Sequence, residues 1–134
     1  MPPTSSSPPN PAATPPTWIL VVDDEAPIRD LVRATLGEHE VREASSASEA
    51  RALVEHAATP PRVTLLDVFM PGEDGLTFAR ELRRLAPTTA IILFSSHLTD
   101  EAYWPDDLKS VRFLPKPFSL DELRAAVNGT LDAS

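Results

Sequence analysis

The 134 residues amount to one domain's worth of chain, and 12 Lys and Arg against 20 Asp and Glu leave a net charge of −8, which argues against direct nucleic-acid binding because phosphate contacts need a basic face. The absence of cysteine excludes disulfide frameworks and thiolate metal sites. The longest apolar runs, Trp18–Val22 and Ala90–Phe94, fall far short of the roughly 20 residues of a membrane span, and no Lys or Arg precedes Arg29 to form a signal-peptide n-region.

The first 17 residues, MPPTSSSPPNPAATPPT, hold seven of the 15 prolines and no charged side chain. Such a segment buries too little apolar surface to offset ordering entropy, so a disordered, polyproline-biased tail is expected over 1–17. The Pro8–Pro11 match to a PxxP ligand is read as incidental. Folded sequence starts at Trp18 and runs to 134.

Short apolar runs then alternate with segments of helical spacing. The runs are WILVV (18–22), VTLL (63–66), IILF (91–94) and VRFL (111–114). Two of the four, WILVV and IILF, are apolar throughout, as strands covered on both faces are. The more polar HEVREA (39–44) has an edge strand's composition. Ile28, Leu31, Val32 and Leu36 mark a first helix, with Gly37 as its stop. Ala47, Ala50, Leu53, Val54 and Ala57 mark a second, capped by Ser46 and ended by Pro60-Pro61. Leu76, Ala79, Leu82 and Leu85 mark a third. Leu120, Leu123, Val127 and Leu131 mark the last, after a Ser119 cap.

Five strands alternating with helices predict an α/β fold with a parallel sheet and helices on both faces. In such sheets a site lies beyond the carboxyl ends of the strands where strand order reverses, between strands 1 and 3 in the flavodoxin-like order 2-1-3-4-5. Strand 1 ends in Asp23-Asp24-Glu25, strand 3 in Asp67, strand 4 in Ser95-Ser96-His97 and strand 5 in Pro115-Lys116-Pro117. All these ends share one sheet edge. Two carboxylates about 4 Å apart repel by roughly 4 kcal/mol at an effective dielectric of 20. Three aspartates and one lysine leave a charge of −2, which a divalent cation balances. Hard oxygen donors without His or Cys suit Mg²⁺ rather than Zn²⁺. Carboxylates, a lysine, a hydroxyl and Mg²⁺ suit phosphoryl transfer, with an aspartyl phosphate as the covalent product. Spacing does not choose among the three aspartates. The simplest division has the adjacent pair holding metal and Asp67 attacking phosphorus.

These residues resemble the receiver domain of two-component response regulators, the chemotaxis-regulator-like fold. The likeness covers about Trp18 to Leu131. It is carried by ILVVDDEAPIRDLV, LLDVFMPGEDGL, IILFSS and FLPKPF, with 43 residues from Asp24 to Asp67, 28 to Ser95 and 21 more to Lys116. The resemblance implies a flavodoxin-like three-layer sandwich, a five-stranded parallel sheet of order 2-1-3-4-5 with helices on both faces. It implies Asp67 as phosphoacceptor and Asp24 as a direct Mg²⁺ (or Mn²⁺) ligand. Asp23 acts on metal-bound water, and the Phe69 carbonyl is a further ligand. Ser95 is the hydroxyl that bonds a phosphoryl oxygen and Lys116 the lysine that pairs with it. Phe113 is the aromatic that turns inward on activation, and Pro117 the proline that follows the lysine through a cis bond. Phe69 and His97 are placed to tune the lifetime of the phosphoryl group.

The implied function is a cytoplasmic phosphorelay switch rather than an enzyme. A sensor histidine kinase or phosphotransfer protein donates to Asp67. A face near the last strand and helix then repacks for a downstream protein target or a phosphorylation-dependent homodimer. Neither nucleic acid nor membrane is an expected partner. The chain ends soon after the last helix, so the expectation is a receiver with no attached effector. The alternative is a phosphorylation-independent adaptor with a receiver fold.

Ordinary readings stand beside these. Asp23 and Asp24 could cap a helix, but not together with Asp67 and Lys116 as partners. MPGEDG (70–75) reads as a turn, with Gly75 serving backbone geometry. No G-x-S-x-G elbow surrounds Ser95 to make a hydrolase. Residues 98–110 depart from the family's pattern, because Pro105 interrupts the expected helix. Tyr103 and Trp104 read as packing over a short element before they read as a partner anchor.

Overall fold

The computed structural model describes residues 17–70, 72–95, 111–116 and 118–133. Residues 1–16 of the tail expected over 1–17, His97, the segment 98–110 with Tyr103 and Trp104, and Pro117 lie outside the described residues. In chain order the elements are β1 (Trp18–Val22), α1 (Ala26–Thr35), β2 (Glu40–Ala44), α2 (Ala47–His56), β3 (Val63–Asp67), β4 (Phe69–Met70), β5 (Glu73–Asp74), α3 (Gly75–Leu85), β6 (Ala90–Ser95), β7 (Arg112–Pro115) and α4 (Leu120–Ala133).

Five strands form one parallel sheet in the order β2-β1-β3-β6-β7. This is the expected 2-1-3-4-5 order, with the two-residue hairpin β4–β5 outside the main sheet. Side chains alternate across it. Trp18, Leu20, Val22, Leu66 and Leu93 face a core closed by Val54 of α2 and Phe78, Ala79 and Leu82 of α3. Ile19, Val21, Leu65, Ile92 and Phe94 face a second core closed by Val32 of α1 and Leu123 and Val127 of α4. Because both faces are covered, β1 and β3 are buried at every position. At the edge, β2 is half-exposed, as its charged composition requires.

Local signals account for most boundaries. Pro27 sits in the first turn of α1, where its missing N–H has no intrahelical partner to lose. The expected glycine stop is not used. This helix ends at Thr35 with Leu36 as its C-cap, and among the described glycines only Gly72 takes a positive φ, of 86°. A cap at Leu36 closes on the Val32 carbonyl through its backbone N–H, so left-handed geometry is unnecessary.

The start of α2 is a variant of the capping box in which the return bond reaches the residue before the N-cap, Ser45. The Ser46 hydroxyl accepts from the Glu49 N–H at 3.1 Å. In return, the Glu49 carboxylate accepts from the Ser45 N–H at 2.7 Å and the Ser45 hydroxyl at 3.0 Å. Ser46→Ala is therefore expected to lower stability by about 1 kcal/mol in urea unfolding.

Candidate functional site

Register places the site. Val21 pairs with Leu65 and Val22 with Leu66, so Asp23 and Asp67 stand at the same level one step farther on. Alternation puts both on the face that Val21 and Leu65 share, toward α1 and α4. Asp23 stays in the sheet through its N–H, which donates to the Ala44 carbonyl at 3.1 Å. On β7, Leu114 lies on that same face, and Lys116 follows two residues later.

Three charged groups thereby converge. The Lys116 ammonium donates to Asp23 Oδ2 at 2.8 Å and lies 3.5 Å from Asp67 Oδ2. Beneath it is the Phe94 ring, whose centroid is 5.1 Å away, and the edge of Phe118 meets that ring at 5.8 Å. The Asp23 side chain is fully buried, and those of Asp67 and Lys116 are 6 % and 11 % exposed.

Glu25 joins this group, a contact that strand-end logic alone did not assign. Its carboxylate takes a second hydrogen bond from Lys116 at 3.2 Å. Carboxylate oxygens of Asp23, Glu25 and Asp67 lie within 4.8 Å of one another. Asp24, the direct ligand that the resemblance implies, is exposed and lies outside this three-carboxylate group. The reason is alternation: Asp23 turns inward, so its neighbour turns out, and the Glu25 N–H folds back to Asp23 Oδ1 at 2.8 Å. The one sequence signal for Glu25 was its place in the acidic run.

Burial is the largest influence on Asp23 and holds its carboxyl above the ordinary 3.8, against the hydrogen bond and charge of Lys116. For Lys116 burial pulls the ammonium down, but Asp23, Asp67 and Glu25 together outweigh it. The net position is above 10.5. The lysine is thus held charged between carboxylates.

The remaining residues frame this cluster. Ser95 closes β6 in register with Pro115, one step beyond the Asp67–Phe94 pair. Phe113 is partly buried against the α2–α3 core. Phe69 opens the β4–β5 hairpin, pairing with Asp74. That hairpin refines the turn reading of residues 70–75. Gly72 supplies its positive φ, and Asp74 caps α3 by accepting from the Leu76 N–H at 3.1 Å. Three oxygen donors and no His or Cys fit a hard divalent cation such as Mg²⁺. Among the described residues, no helix is long and apolar enough to cross a membrane.

Comparison with known proteins agrees with this geometry. The family model of the response regulator receiver domain matches residues 19–128. The chain is 30% identical over 115 residues to the KDP operon transcriptional regulatory protein KdpE of Escherichia coli (strain K12), covering 86% of this chain and 51% of that protein. It is 37% identical over 119 residues to the sensor kinase CckA of Brucella abortus (strain 2308), covering 87% of this chain and 12% of that one. The chain thus spans about half or less of these curated relatives. Among solved structures, the receiver domain of NtrX from Brucella abortus matches with a TM-score of 0.76 and 35% identity, over 87% of this chain and 99% of that one. A parallel sheet of this order, an acidic cluster with a lysine at its carboxyl edge, and a family match over most of the chain agree: the chain belongs to the response regulator receiver domain family.

Proposed function

We propose that this chain is a phospho-accepting switch in which Asp67 receives a phosphoryl group from a sensor histidine kinase or a phosphotransfer protein. The observation that carries the reading is the buried Asp23–Asp67–Lys116 cluster at the point where strand order reverses. An Asp67 carboxylate oxygen attacks phosphorus, the phosphorus–nitrogen bond of the donor phosphohistidine breaks, and the imidazole leaves with the bonding pair. Lys116, held cationic, stands 3.5 Å from the acceptor carboxylate, where it balances the negative charge that the phosphoryl oxygens bring.

Asp23, Glu25 and Asp67 would hold a Mg²⁺ or Mn²⁺ ion. The set that the family resemblance implies is Asp23, Asp67, exposed Asp24 and the Phe69 carbonyl; Glu25 is added by the geometry. When bound, the ion neutralises charge on the transferring group. Ser95 and Phe113 serve as the switch pair, and Phe69 and His97 tune the lifetime of the aspartyl phosphate. The output is a change in a protein-binding face, to a downstream target or a second copy, in the cytoplasm. The chain performs self-phosphorylation and its reversal without turning over an external substrate.

Acetyl phosphate replaces the kinase in the test. Intact-protein mass after treatment with acetyl phosphate and Mg²⁺ should show one added phosphoryl group. The addition should vanish in Asp67→Asn and under chelation. An unmodified mass under every condition would replace this reading with a phosphorylation-independent adaptor.

A further inference from the structure

We propose that Arg29, on α1, is a positioning residue that sets the acidic loop Asp23–Glu25 for metal binding; the inference rests on the receiver reading above. Its side chain is only 17% exposed. Its guanidinium bridges two acceptors: Nε donates to Glu43 Oε1 of β2 at 3.1 Å, and Nη1 to the backbone carbonyl of Asp23 at 2.6 Å. Arg33 Nη1 takes the other oxygen of Glu43 at 2.8 Å, so that carboxylate is fixed from two sides.

The carbonyl in question belongs to the peptide joining Asp23 to Asp24. Asp23 is thus held on the amide side by Ala44 and on the carbonyl side by Arg29. Rotation of that peptide changes ψ of Asp23 and φ of Asp24, which displaces the carboxylates of Asp24 and Glu25. Glu25, at the N-cap, makes no side-chain cap bond of its own. The guanidinium fork suits this task because it spans two acceptors at fixed geometry; a lysine ammonium is a single point donor. Groups that orient metal ligands in this way typically change metal affinity tenfold or more when removed.

The test uses the full chain with Mn²⁺ as probe. Free Mn²⁺ is read by electron paramagnetic resonance, and urea midpoints are recorded for every variant. Arg29→Ala is expected to weaken Mn²⁺ binding about tenfold. It should also raise the Mg²⁺ concentration for half-maximal labelling by acetyl phosphate, with full labelling kept at saturating Mg²⁺. Arg29→Lys should fall between Arg29→Ala and the parent. Arg33→Ala removes an ion pair to the same Glu43 and leaves the contact to Asp23, so its Mn²⁺ affinity should be unchanged. Equal weakening in Arg29→Ala and Arg33→Ala would overturn the proposal by showing general loosening of α1 on β2. Parent-like Mn²⁺ affinity in Arg29→Ala would overturn it directly. Should Arg29→Ala fail to fold, Arg29→Lys decides, and parent-like affinity there overturns it. A parent chain that binds no Mn²⁺ overturns the metal site of the receiver reading together with this inference. A parent that binds Mn²⁺ but takes no phosphoryl group overturns phosphotransfer alone and leaves the affinity comparison to decide on Arg29.

Discussion

Lys116→Met is expected to lower the unfolding free energy at pH 7 by about 3 kcal/mol or more, because removing one partner from a buried ion pair leaves the other charge uncompensated. Here the fully buried Asp23 carboxylate loses its ammonium partner, and the Asp67 carboxylate, 6% exposed, loses one of its interactions. Methionine keeps the apolar stem and lays a polarisable sulfur near the Phe94 ring, now 5.1 Å from the ammonium. The loss therefore measures charge and not volume. Glu25 contributes little to it, since its side chain is 60% exposed and water screens the pair. Urea unfolding of parent and variant in metal-free buffer reads the difference.

The pH dependence gives the same prediction a second handle. Burial, the largest influence, raises the Asp23 carboxyl above its ordinary 3.8. A carboxyl that binds its proton more tightly when folded opposes folding while ionised, so its burden is relieved as pH falls through the folded value toward 3.8. In the variant the hydrogen bond and charge of Lys116 no longer hold that carboxyl down. The relief then begins at higher pH and is larger. The ammonium, raised above 10.5, contributes stability that is present below 10.5 and lost as pH climbs through the folded value. The gap between parent and variant should thus be widest near neutrality and close toward both extremes. A gap constant from acid to alkali would mean that the charge of Lys116 does not carry the loss.

Sequence alone exposed those parts of the molecule in which neighbouring residues decide the outcome. WILVV reads as a strand covered on both faces, and every one of its positions is buried. Polar HEVREA reads as an edge strand, and β2 lies at one edge of the sheet. Ser46 reads as a cap and accepts from the Glu49 N–H. Convergence of Asp23, Asp67 and Lys116 was readable because parallel strands must end on one edge. What was hidden depends on through-space placement. Glu25 reaches the cluster because a bond from its N–H to Asp23 turns the loop. The Arg29 contact to the Asp23 carbonyl spans only six residues, yet it requires α1 to lie against the end of β1. Residues 70–75 read as a turn, but the short pairing of β4 with β5 carries no hydrophobic alternation by which to find it.

Gly75 and Gly129 begin and populate two helices, and the same substitution should move stability in opposite directions at the two sites. A Cβ at Gly75 would lie against the Asp67 carbonyl oxygen, 2.6 Å from the Val68 carbonyl oxygen and 2.7 Å from the Val68 Cα. All three are backbone atoms of the segment Asp67–Val68, and that segment is tied on both sides. Gly75 N–H donates to the Val68 carbonyl at 3.0 Å, and Val68 N–H to the Phe94 carbonyl at 3.0 Å. Nothing there yields as a flexible side chain would. Overpacking of this kind costs roughly 1–3 kcal/mol, and the gain from replacing a helical glycine, about 0.5–1 kcal/mol, does not offset it. At Gly129 the nearest atoms are the Arg112 guanidinium nitrogens at 3.6 and 3.8 Å, ordinary contacts with a movable side chain. Gly129→Ala should therefore stabilise by about 0.5–1 kcal/mol, while Gly75→Ala destabilises. Thermal and urea unfolding of the two variants beside the parent measure both signs. The glycine at the start of α3 is required because its helix rests on the backbone at the end of β3, so a stabilised Gly75→Ala would mean that this close approach does not constrain the fold.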